Sequence, residues 1–122
     1  MASLAKPPDP SVEYALQSSR YGECLAKIVS GADGATILDH GAGWPSGEPR
    51  RERLASPDGL RRVQASFMVG KRLCFPNSRD CGTVTRVYSL GAADNRFDAS
   101  GTQRTWRSPP IEGHCLERAG TR

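Results

Sequence analysis

The stretch KRLCFPNSRDCGTVTRVYSL, residues 71–90, constrains the fold of this chain more than any other, because two runs of strand-forming residues flank a polar PNSRDCG segment. Pro76 presets a turn, Asn77 and Ser78 can bond nearby backbone, and Gly82 lets the chain re-enter a second strand, so the pattern predicts a β-hairpin. Side chains alternate across a strand, which puts Leu73 and Phe75 on one face and sets Val84 with Arg86 opposite Thr85 with Val87. Cys74 and Cys81 then lie on opposite arms near the loop, where their Cα atoms come close enough for a disulfide.

Whether that bond forms depends on the compartment. MASLAKPPDPSVEY has no apolar core long enough for a secretory signal, and no later run reaches the roughly 18 apolar residues of a membrane span. The expectation is a soluble, cytoplasmic protein that does not enter a membrane, with Cys24, Cys74, Cys81 and Cys115 as free thiols. In an exported chain, three pairings of the four cysteines would be open.

Residues 1–8 are expected to be disordered. Asp9-Pro10 then offers a helix N-cap followed by a proline at the first helical position. Tyr14, Tyr21, Leu25 and Ile28 recur at helical spacing with Cys24 at the edge, predicting an N-terminal helix over 9–31 that Gly31 terminates. Gly22 weakens its middle, and Val12 and Leu16 fall on the opposite face. GATILD at 34–39 suits a short strand, but HGAGWPSGEPRRER is turn-rich and basic, so residues 32–55 read as a flexible linker. Ser56-Pro57-Asp58 signals a second short helix, with Leu60, Val63 and Phe67 inward and an end near Gly70. From Phe67 onward, apolar alternation broken by turns predicts short antiparallel strands through TQRTWR and HCLER. The fold class expected is α+β: an N-terminal helix, a flexible linker and a small antiparallel β-barrel over 56–122. A hydrophobic share of 37%, with 13 Gly and 9 Pro, fits one packed unit of roughly 50–65 residues with flexible flanks.

The order Val69-Gly70-Lys71-Arg72-Leu73, a polar loop, Gly82-Thr83-Val84-Thr85-Arg86-Val87, a turn from Asp98 to Thr102, and a closing Leu116-Glu117-Arg118 is similar to SH3-like small barrels. Many of these open on V-G-x-R-V and continue with G-x-V-x-x-V. The likeness spans about residues 67–118, under half of the chain. Gly70-Lys71-Arg72, Gly82-Thr83-Val84, Tyr88 and Leu116-Glu117-Arg118 also resemble plasmid-type (type II) dihydrofolate reductase, a tetramer of small SH3-like chains around a shared pore. Where that family carries Val-Gln-Ile-Tyr before its last strand, this chain has Gln103-Arg104-Thr105-Trp106. No catalytic or cofactor residue carries over.

The remaining chemistry is sparse. Cys74 and Cys81, with His114-Cys115, lack the Cys-x₂₋₄-Cys knuckle that aims two thiolates at one zinc ion, and adjacent His and Cys side chains diverge in a strand. His40 has no partner at a catalytic spacing, Ser46 lacks a Gly-x-Ser-x-Gly elbow, and Gly31-Ala32-Asp33-Gly34-Ala35 reads as a helix-terminating turn rather than a phosphate cradle. Arg50, Arg51, Arg53, Arg61 and Arg62 form the densest basic region, offset by Glu48, Glu52 and Asp58. Trp106 between Arg104 and Arg107 is the candidate ligand-binding group, an aromatic beside cations that can stack a base or grip a peptide.

The sequence therefore points to a non-enzymatic small binding module without cofactor or metal. Its partner would be another protein or, weakly and non-specifically, nucleic acid. Two alternatives stand beside it: the product of an open reading frame with little stable fold, and a divergent reductase-like oligomeric barrel.

Overall fold

The computed structural model describes residues 5–42, 47–75, 78–91, 93–103 and 108–118. Among these, nine strands form one antiparallel sheet: β1 (Glu13–Ser19), β2 (Gly22–Ser30), β3 (Thr36–Ala42), β4 (Pro49–Leu54), β5 (Arg61–Gln64), β6 (Arg72–Cys74), β7 (Cys81–Ser89), β8 (Asn95–Ser100) and β9 (Cys115–Leu116). The expected α+β class is wrong, since no α-helix occurs among the described residues and the single helical turn is 3₁₀, Ala65–Met68.

The predicted N-terminal helix is the hairpin β1–β2, joined at Arg20-Tyr21 between the paired Ser19 and Gly22. Gly22 has φ +112°, which a side chain rarely adopts, so the residue that weakened the helix is the one the turn requires. Val12, Tyr14 and Leu16 are all buried, at a spacing of two. The two residues that fell off the helical stripe therefore share the core face of a strand with Tyr14. Gly31 to Ala35 is likewise a hairpin turn, closed by Gly31 N–H to Ala35 O at 2.7 Å and by the Asp33 carboxylate accepting from Ala35 N–H at 3.1 Å. The stretch expected as a linker carries β3 and β4, and the expected second helix is β5 followed by the 3₁₀ turn. Lys6, within the segment expected to be disordered, forms a two-bond bridge to Ser89, each N–H···O 2.9 Å.

The sheet branches at β2. One edge of β2 pairs with β1, which pairs onward with β5. The other edge is divided, residues 27–30 pairing with β3 and Cys24 with β9. Beyond β9 the order runs β6, β7, β8, and beyond β3 it ends at β4. The sheet curls, so that Tyr14, Leu16 and Leu25 from the first hairpin pack with Leu73, Val84 and Phe97 in one core. It does not close into the barrel that the SH3-like resemblance implied; it is a small, open, all-β antiparallel sheet. A lesser cluster of Ala15, Ala26 and Leu38 lies on the opposite face of β1 and β2.

The hairpin predicted at 71–90 is present as β6 and β7. Val84 and Val87 are both buried although they are three residues apart. A register shift between Val84 and Arg86 explains this, because Thr85 is an extra residue that resets the alternation. Arg86 and Tyr88 then share the face opposite Val87, the guanidinium 4.3 Å from the ring centroid and both side chains bonded to Asp98.

Candidate functional site

Three turns and ends converge beside the β6–β7 hairpin. The β1–β2 turn brings Arg20 and Tyr21, the β6–β7 connection brings Phe75 and Arg79, and the chain leaving β9 brings Glu117 and Arg118. They surround an open cleft of about 480 Å³ whose wall includes Cys74 and Cys81. Cys24 is bonded to Cys115 and Cys74 to Cys81, so the expectation of four free thiols is overturned. Each bond joins residues directly opposite on neighbouring strands, the Cα atoms 3.8 and 4.1 Å apart.

The electrostatics of the cleft are one-sided. Arg72 binds the Glu117 carboxylate at 2.6 Å and neutralises it. Arg20 stands over the Tyr21 ring at 4.8 Å, and Arg118 donates to the Arg20 carbonyl at 2.8 Å. Among the described residues, neither these two arginines nor Arg79 has a carboxylate partner. All three are exposed, while Phe75 and the half-buried Tyr21 add apolar surface between them.

Beneath this cleft, His114 is buried with its ring centroid 4.7 Å from that of Phe75 and 5.0 Å, edge-on, from that of Phe97. Burial pushes its pKa down to about 4, and the nearby backbone of residues 110–112 pulls the other way without offsetting it. Two residues before it, Glu112 lies 4.0 Å from Lys27, and burial raises its pKa despite that lysine. Tyr14 is held neutral by burial, its hydroxyl accepting from Asn95 at 3.2 Å.

The candidates from the sequence are dispersed. Arg104, Trp106 and Arg107 lie outside the described residues, as does Ser46. The basic stretch is largely compensated: Arg51 pairs with Asp39, Arg53 with Asp33, Arg61 with Glu23 and Arg62 with Glu13. His40 sits 3.1 Å from Glu52 on the neighbouring strand. Cys74, Cys81 and Glu117 offer three ligand-type atoms within 4.8 Å of one another, but the two sulfurs are consumed in their own bond. The cleft arginines went unnoticed in the sequence because they are far apart in it. The Ser-Arg-Tyr-Gly turn was the legible signal for Arg20, and the helical reading hid it.

Comparison with protein-family models, with curated proteins and with solved structures returns no match. The meaning of the cleft therefore rests on its own chemistry.

Proposed function

We propose that the chain is a non-enzymatic binding module whose cleft takes an acidic, extended peptide segment of a partner protein. The observation that carries this reading is the convergence of Arg20, Arg79 and Arg118, none paired with a described carboxylate, around Tyr21 and Phe75. Guanidinium groups bind carboxylates through a planar fork of donors, and an adjacent aromatic surface holds the apolar part of a side chain. A nucleic-acid reading draws less support, because most arginines of the 50–62 stretch are already offset by carboxylates.

Fluorescence anisotropy with a labelled Glu/Asp-rich peptide containing one phenylalanine tests the proposal. Arg79→Ala with Arg118→Ala should weaken binding by about tenfold or more, as expected for two charge-assisted contacts. Raising salt should weaken the wild type more than the variant. Equal affinity of wild type and variant, or equal affinity for a Lys-rich peptide, would remove the cleft as the binding site. Tighter binding of a single-stranded oligonucleotide than of the acidic peptide would replace the peptide reading with the nucleic-acid one.

A further inference from the structure

Four cysteines on four neighbouring strands stand in one line across the sheet. Cys24 opposes Cys115, Cys115 also opposes Cys74, and Cys74 opposes Cys81. Directly opposed residues project to the same face, so the side chains form a single transverse row in the order Cys24, Cys115, Cys74, Cys81.

The hydrogen bonds show why the two outer pairs are the bonded ones. Leu25 N–H donates to His114 O at 2.9 Å, which marks Cys24 and Cys115 as a non-hydrogen-bonded pair. Val84 N–H donates to Lys71 O at 2.8 Å, giving Arg72 and Thr83 the same status and, two residues along, Cys74 and Cys81 as well. In such pairs the Cα atoms are closest, at about 4.5 Å. Glu117 N–H donates to Arg72 O at 2.9 Å, which leaves Cys74 and Cys115 as the hydrogen-bonded pair between them. Its Cα spacing is about 5.5 Å. That also lies within the range of about 4.4–6.8 Å that a disulfide spans. Cys115 and Cys74 therefore each have two covalent partners in reach.

We infer that this row is a thiol–disulfide exchange site, which accepts a small-molecule thiol at the cleft and passes the exchange across the sheet to Cys24. Cys74 and Cys81 line the cleft, where Arg20, Arg79 and Arg118 favour an approaching thiolate and Glu117 is neutralised by Arg72. The external thiolate attacks Cys81 Sγ, forming a mixed disulfide as the Cys74–Cys81 bond breaks and its electron pair stays on Cys74. The Cys74 thiolate attacks Cys115 Sγ, the Cys74–Cys115 bond forms, and the Cys24–Cys115 bond breaks with its electron pair left on Cys24. One thiolate has entered and one has appeared, with no net oxidation. Cys24 is the least buried of the four cysteines, and the Ser19 hydroxyl lies 3.2 Å from its Sγ. A second thiol molecule resolves the mixed disulfide at Cys81, so that two thiols leave as their disulfide and the protein gains two electrons and two protons. The covalent tie has then moved from β2–β9 to β6–β9. This inference stands on the strand register and does not require the acidic-peptide reading.

Partial reduction of the oxidised full chain with reduced glutathione, quenching with N-ethylmaleimide and mass mapping of the one-disulfide species tests it. The expected intermediate links Cys74 to Cys115 and carries label or glutathione on Cys24 and Cys81, without Cys24–Cys74 or Cys24–Cys81 links. Cys81→Ser, oxidised and labelled under native conditions with no added thiol, should divide its label between Cys74 and Cys24. Intermediates that keep only Cys24–Cys115 or Cys74–Cys81, together with label on Cys74 alone in the variant, would overturn the inference. So would a Cys74–Cys115 link found only alongside comparable amounts of Cys24–Cys81, the mark of random pairing in an unfolded chain. If Cys81→Ser does not fold, mapping of the wild type decides alone.

Discussion

At the scale of single residues, His114 carries the clearest consequence for stability. Its ring is enclosed between Phe75 and Phe97, and burial holds its folded pKa at about 4, below the usual 6.5. A depressed pKa means that the unfolded chain binds the proton first as pH falls. The stabilisation is fully present above about 6.5 and is lost as pH drops towards 4. Glu112, whose pKa burial raises, acts in the opposite sense, since the folded state holds its proton to higher pH. The two contributions are separated by comparing the wild type with His114→Gln, which keeps a polar side chain at this position but does not titrate. Denaturant unfolding at pH 7 and pH 4 should show the wild type losing about 2–3 kcal/mol more than the variant. Parallel pH profiles would show that His114 is not held neutral in the folded state.

Among the elements, the β6–β7 hairpin turns on Gly82, and for a different reason from the one its place after a polar loop suggests. A Cβ there would lie 2.5 Å from Thr102 Cγ2 and 3.0 Å from Ser100 O, so the glycine is required by the close approach of β8 and the segment after it. Gly82→Ala should cost about 1–3 kcal/mol by overpacking, read as a lower denaturation midpoint with unchanged m-value. An unaltered midpoint would mean that Thr102 moves aside freely. The hairpin itself was legible because both arms and the turn are local in sequence, but the expected faces, Val84 with Arg86 against Thr85 with Val87, are corrected by the bulge at Thr85, which turns Val84 and Val87 both inward. The first hairpin was not. Tyr14, Tyr21, Leu25 and Ile28 mimic a helical stripe only when counted across a turn, whereas Val12, Tyr14 and Leu16 carry the true period of two. The partner of β9 was beyond reach, since two residues hold no periodicity and β9 pairs with strands far away in the chain. The cleft was hidden for the same reason, being assembled from Arg20, Arg79 and Arg118 by that long-range pairing.

For the whole molecule, that pairing makes the two disulfides unequal. Cys24–Cys115 joins residues 91 apart and ties the first hairpin to β9 in the middle of the sheet, while Cys74–Cys81 joins residues 7 apart within one hairpin. Tyr14, Leu16 and Leu25 share a core with Leu73, Val84 and Phe97, so the long bond links two parts that must meet before either buries its apolar face. On the chain-entropy account, closing the long loop in the unfolded state is worth about 4–5 kcal/mol and the short one about 2–3 kcal/mol. Cys24→Ala with Cys115→Ala should therefore lower unfolding stability by roughly 2 kcal/mol more than Cys74→Ala with Cys81→Ala, measured by urea titration under non-reducing conditions. Refolding should separate the two variants as well. Distant strands must be brought together unaided once the long bond is removed, so that variant should refold more slowly than the wild type, while loss of the short bond leaves a hairpin that its own turn closes. Equal losses from the two deletions would indicate that the unfolded chain already holds β2 near β9. The long bond would then act through native packing around Cys115 rather than through the entropy of the unfolded state.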